Sequence, residues 1–123
     1  MNIKVVKLNY ITRVTINEPN TYNSLSFKNL NDLIKIFKKL DNDKQTKVII
    51  LEGAGKGFSA GHNLKEVKAL KKRNKYQKLF NLCSKLMLQI VEGRKPVIAK
   101  VHGAAYAAGC QLAASCDLAY SSK

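Results

Sequence analysis

The chain has 123 residues, with 22 Lys and Arg against 8 Asp and Glu, and is 46% hydrophobic. That length suits one compact domain and excludes two; no apolar run approaches the ~18 residues of a membrane helix. The net charge of +14 points to an anionic partner, whether a phosphate-bearing ligand, nucleic acid or an acidic protein surface, unless the lysines simply coat solvated faces.

The N-terminal "MNIKVVKLNY" alternates like a strand and lacks the apolar core of a signal peptide. "IKVVKL" and "TRVTIN" are rich in β-branched residues and predict a hairpin turning at Asn9 and Tyr10. "EPN" breaks the second strand. Ser26 then caps a helix whose apolar residues, Phe27, Leu30, Leu33, Ile34, Phe37 and Leu40, recur at helical spacing. "DND" ends it. "KVIILEG" is a continuous apolar run, as expected of a strand buried on both faces.

A glycine-rich loop follows, "GKGFSAGHN", before Asn63 and Glu66 set up a capping box. "KALKKRNK" is polar and expected to fray. The next helix places Tyr76, Leu79, Phe80, Cys83, Leu86, Met87, Ile90 and Val91 on one face, with Gly93 closing it and Pro96 preventing restart. "VIAKVH" reads as a buried strand, "GAAYAAG" as a small-residue loop, "CQLAASC" as a short helix and "DLAYSS" as a last strand. The order β-β-α-β-α-α-β-α-β predicts an α/β fold with a largely parallel sheet and right-handed crossovers. Cys83, Cys110 and Cys116 form neither a metal-ligand spacing nor an even disulfide set, so reduced thiols and no metal site are expected.

The arrangement of strand, small-residue loop and helix start occurs twice, at Val48–Asn63 and at Val97–Gln111. A helix start presents backbone N–H groups without intrahelical partners, and small residues let a ligand approach the backbone. Two such termini face to face would stabilise an oxygen that gains negative charge. Close packing of helix on sheet is the other use of the same small residues.

The wording of the loops is more specific. "FSAGHNLKE" and "KPVIAKVHGAAYAAGCQLAASCDLAY" resemble the two motifs of the crotonase, or enoyl-CoA hydratase/isomerase, superfamily, and "ITRVTINEPNTYNSLS" resembles its opening strand and helix entry, through Asn23, Leu25 and Ser26. Within the superfamily, "AAGCQLAASCD" looks like the loop of the enoyl-CoA hydratase domain-containing protein 3 branch. The resemblance runs in register through nearly the whole chain.

The resemblance implies a crotonase-like spiral of β-β-α units and an acyl-coenzyme A thioester as substrate, with no covalently bound cofactor. The thioester oxygen would lie between the backbone N–H groups of His62 and Ala108. Ala108 stands where the family usually has glycine, which takes a methyl's worth of room from the acyl pocket. Gly61 gives the close approach, the carbonyl of Ala60 meets the adenine, and Lys56 and Lys65 approach the coenzyme phosphates. The imidazole of His62 is expected on the ligand wall or at solvent rather than as the proton carrier. His102 and Cys110 are expected to be structural, Cys110 as a buried packing thiol, and Tyr106 to line the pocket.

Two departures qualify the implied activity. Hydration of an enoyl thioester uses two carboxylates, but Gln111 occupies the place of the first, and the second would fall beyond residue 123. Asn63 replaces an aspartate and still caps a helix. The family size is also about twice this length, so residues 1–123 are read as the N-terminal part of a single crotonase-like domain, incomplete at its C-terminus. The expected function is that of a lyase-type enoyl-CoA hydratase/isomerase-like protein of fatty-acyl-CoA metabolism. The alternatives are a non-catalytic acyl-CoA-binding pseudoenzyme or inactive fragment and, last, a basic nucleic-acid-binding module suggested by "KALKKRNKYQK". A trimer-type homo-oligomer is expected of the full-length protein, with no membrane partner. A cytoplasmic location is expected, or the mitochondrial matrix if a targeting segment is missing.

Overall fold

The computed structural model describes residues 2–70 and 72–121; Lys71 of the "KALKKRNK" stretch and Ser122 of "DLAYSS" lie outside them. Strands β1 (Ile3–Leu8) and β2 (Ile11–Ile16) form the expected antiparallel hairpin, with Leu8 opposite Ile11. Asn9 takes the left-handed turn position at φ 57°, which asparagine tolerates better than most residues. β3 (Val48–Gly53), β4 (Val97–Val101) and β5 (Leu118–Ser121) then join in parallel, so the described strands lie in the sheet in chain order.

The helices α1 (Phe27–Asp41), α2 (Leu64–Ala69), α3 (Arg73–Glu92) and α4 (Ala108–Ser115) fill the crossovers. Ser26 caps α1 as expected, its Oγ accepting from the N–H of Asn29 at 3.1 Å. Leu30, Leu33, Phe37 and Leu40 form the buried face of α1. Burial of each such side chain contributes about 2 kcal/mol. They meet Leu79, Cys83, Leu86 and Ile90 of α3 and the sheet rows Thr12–Ile49–Val97 and Val14–Leu51–Ala99.

Several expectations change. β3 is not buried on both faces: Ile49, Leu51 and Gly53 are buried, while Val48, Ile50 and Glu52 are half-buried. The helices and core lie on the first face. The second carries a polar row in which Glu52 accepts from Thr15 at 3.0 Å and faces Arg13 at 3.5 Å and Lys100 at 3.9 Å. The "KALKKRNK" stretch does not fray as a unit. It divides between α2 and α3, because Val67 and Leu70 pack against the core and hold α2 down. α3 therefore starts at Arg73, ahead of Tyr76, and α4 starts at Ala108, ahead of Cys110. Phe80 and Val91 do not join the core face of α3; they are 50% and 61% exposed.

The capping box at Asn63 is only half made. Asn63 Oδ1 accepts from the N–H groups of Lys65 at 3.0 Å and Glu66 at 3.3 Å. Glu66 does not reach back to Asn63; its carboxylate accepts from the N–H of Phe27 at 3.0 Å. A residue of α2 thus serves an unpartnered donor at the start of α1, where a negative charge also suits the helix dipole.

Candidate active site

The loop between β3 and α2 is held from beneath by residues 22–25. Asn23 is fully buried with φ 55°. Its Nδ2 donates to the carbonyls of Ala54 at 2.8 Å and Gly57 at 2.9 Å, and its Oδ1 accepts from the N–H of Glu18 at 2.9 Å. The Ser59 hydroxyl donates to the Asn23 carbonyl at 2.8 Å. Ala60 N–H donates to Tyr22 at 2.9 Å, and Leu25 N–H to the carbonyl of Gly61 at 2.7 Å. Every buried polar atom named here is paired, as a loop buried this deeply requires.

The loop between β4 and α4 locks onto the first. The N–H groups of Phe58 and Ser59 donate to Ala104, at 2.9 and 3.2 Å, and the N–H of Tyr106 returns a bond to Ser59 at 3.0 Å. Two glycines make the approach possible. A Cβ on Gly109 would lie 2.3 Å from the carbonyl oxygen of Ser59. A Cβ on Gly61, which has φ +89°, would lie 3.0 Å from the Tyr106 oxygen and 3.2 Å from the Ala108 nitrogen. The small residues therefore serve close packing, and that packing also brings the two helix entries together.

Among the described residues, neither the N–H of His62 nor that of Ala108 meets a hydrogen-bond acceptor. Ala108 is the first residue of α4, and the residue before it, Ala107, is bent to φ 47° and ψ −117°. Side chains rarely adopt a positive φ, so this turn stores strain. Sequence reasoning placed the departure from glycine at Ala108; the backbone puts the conformational demand on Ala107. The "AAG" triplet at the helix entry was the available signal.

His62, Ala107, Ala108 and Gln111 all line one cleft of about 1090 Å³, whose opposite wall comes from Phe80, Met87, Leu88 and Val91 of α3. The exposed apolar side chains of α3 face this space. Gln111 thus lines the same cleft as His62 and Ala108. Of the other expected site residues, Ala60 is half-buried with its N–H spent on Tyr22, while Lys56 and Lys65 are exposed and enter no ion pair among the described residues. Lys56, Ala60, Gly61 and Lys65 are not part of the cleft wall.

The His62 ring is held at two points. Its Nδ1 lies 3.2 Å from the Leu25 carbonyl, and its ring meets Phe80 edge to face with centroids 5.4 Å apart. The Nε2 of His102 donates to the carbonyl of Gly55 at 2.6 Å, which ties the end of β4 to the first loop. Two expectations fail. Tyr106 does not line the cleft; the residue is 66% exposed and its backbone supplies the contacts. Cys110 is exposed rather than buried, because Ala108, Gly109, Leu112 and Ala113 make up the inward face of α4.

The enoyl-CoA hydratase/isomerase family model matches residues 7–123. The chain belongs to the enoyl-CoA hydratase/isomerase family. It is 43% identical to enoyl-CoA hydratase domain-containing protein 3, mitochondrial, of Xenopus laevis over 91% of its length, and 40% identical to the Homo sapiens protein of that name over 94%. It spans 38% of each of those relatives. Among solved structures, an enoyl-CoA hydratase of Mycobacterium smegmatis superposes with a TM-score of 0.95 at 41% identity, covering 98% of this chain and 48% of that one. The human domain-containing protein 3 superposes at 0.93 with 37% identity and the same coverage. The crotonase-like α/β fold read from the two loops is the fold of this chain, and the branch suggested by "AAGCQLAASCD" is represented among its relatives.

Proposed function

We propose that the cleft binds the acyl portion of a coenzyme A thioester, with the thioester oxygen received by the N–H groups of His62 and Ala108. One observation carries this reading: two unpartnered backbone donors from interlocked loops border one apolar-walled space. Donors fixed by the fold need no reorganisation when charge develops on the oxygen, and losing one such donor costs about 3–4 kcal/mol of transition-state stabilisation. Lys56 and Lys65 are free to meet the phosphates, and the carbonyl of Ala60 to meet the adenine. The domain-containing protein 3 relatives carry "mitochondrial" in their names, which favours the mitochondrial alternative over a cytoplasmic location.

Titration calorimetry of a saturated acyl-CoA into the full-length protein tests the reading. Binding supports it; absence of binding at millimolar ligand overturns it. Gln111 favours a second reading, a thioester-binding protein that does not hydrate. A glutamine amide orients a water but does not take its proton. The Gln111→Glu variant separates the two readings: turnover of crotonyl-CoA appearing only in the variant supports the second, and equal hydration by both proteins removes it.

A further inference from the structure

We infer that the imidazole of His62 is the proton carrier of this cleft, removing and returning a proton beside the thioester carbonyl through Nε2. The inference deepens the thioester-binding reading and rests on it. A carbonyl oxygen only accepts, so the 3.2 Å contact with Leu25 puts a proton on Nδ1. Nε2 lies on the far side of the ring, and among the described residues nothing bonds to that atom. The edge-to-face contact with Phe80, at an interplanar angle of 75°, restricts rotation of the ring.

Leu25 makes the arrangement coherent. It is fully buried. Its N–H fixes the carbonyl of Gly61 at 2.7 Å while its own carbonyl fixes the His62 ring. One residue therefore sets both the loop that presents the His62 N–H and the orientation of the imidazole. Among the described residues the cleft lining includes no aspartate or glutamate, Gln111 carries no exchangeable charge, and burial pushes the Cys83 thiol up and away from ionisation. Histidine is the side-chain type that gains and loses a proton near neutral pH.

The step balances without a further reagent. Nε2 takes a proton from the carbon next to the thioester carbonyl. The C–H electron pair becomes the new C=C bond of an enolate, and the carbonyl π pair moves to the oxygen held by His62 and Ala108. Return of the proton to the same carbon restores the thioester; its return two carbons along an unsaturated chain moves the double bond, with no water consumed.

The test uses full-length protein and butyryl-CoA in D₂O, with loss of the α-proton signal followed by NMR and binding read in parallel by calorimetry. The wild type is expected to bind and exchange. His62→Asn keeps the backbone N–H and a side-chain donor for Leu25 while removing the ring, so among the fraction bound it is expected to exchange at least about 100-fold more slowly. Should that variant not fold, His62→Ala is expected to regain exchange when free imidazole is added. No binding by the wild type overturns the thioester reading. Binding without exchange in the wild type, undiminished exchange in His62→Asn, or failure of imidazole to restore exchange to a folded His62→Ala overturns the role of His62 alone.

Discussion

The N–H of Tyr106 donates to the carbonyl of Ser59 at 3.0 Å, and this bond joins the two loops on which the site depends. Gly109 sits directly behind it, with space for a Cβ only 2.3 Å from the same Ser59 oxygen. The obstacle is backbone, so a side chain there has to part the loops. Gly109→Ala is expected to lower stability by about 2 kcal/mol, as overpacking does, and to weaken thioester binding at the same time. Chemical denaturation and calorimetry on the same preparation check both effects.

Ala107 offers the opposite sign. Its φ of 47° is costly for a residue with a side chain, and glycine adopts it freely. Ala107→Gly is expected to raise stability by about 1 kcal/mol after the entropy of a freer unfolded chain is deducted. A thermal melt moved upward by about 3 °C is the corresponding observation. An unchanged or lower melting temperature would show that the turn is relaxed in solution.

The three cysteines differ in access. Cys110 is exposed, Cys83 is buried and Cys116 is half-buried. Burial, with Asp117 adding a smaller effect, pushes the Cys116 thiol up to about 12, and burial also raises Cys83. Thiolates are the reactive form. Alkylation of the native protein at neutral pH is therefore expected to label Cys110 first, with Cys83 and Cys116 labelled only after denaturant is added. Peptide mapping by mass spectrometry reads the order.

Two carboxylates at the far end of α1 predict acid sensitivity. The Arg94 backbone N–H, 2.7 Å from Asp41, and the Arg94 guanidinium hold that carboxyl below its usual range. The Thr46 hydroxyl, Lys7 and the Gln45 N–H do the same for Asp43. Because both folded-state pKa values lie below the unfolded ones, the stability these groups add is present above about pH 5. It is lost as pH falls below about 4 and through the folded values. Asp43→Asn is expected to flatten that fall in urea midpoints measured across the range. An equally steep fall in the variant would place the acid sensitivity elsewhere.

Much of this arrangement was legible in the residues. Helical spacing gave the buried faces of α1 and most of α3, Ser26 announced its cap, and the wording of the two loops gave the fold. What escaped depended on tertiary neighbours. Glu66 has the sequence position of a capping-box residue, but Phe27 lies within reach and takes its carboxylate. Phe80 and Val91 have core spacing, but the cleft lies over them. β3 reads as doubly buried because Val48 and Ile50 are apolar, while Glu52 already marked the polar face. No local signal separates Ala107 from Ala108; only the backbone shows which of them carries the positive φ. The hold of Leu25 on the His62 ring joins residues far apart in the chain and has no pattern in the sequence.

The central claim is that two backbone N–H groups receive a thioester oxygen. Ala108→Pro addresses it most directly, because proline at the first position of a helix removes one N–H that the helix does not use. Calorimetric titration of acetoacetyl-CoA, whose 1,3-dicarbonyl enolises readily, into full-length wild type and Ala108→Pro, both verified as folded by circular dichroism, is the measurement. A loss of at least about 100-fold in affinity on removing this donor is the result the account predicts. Equal affinity in the two proteins would contradict it.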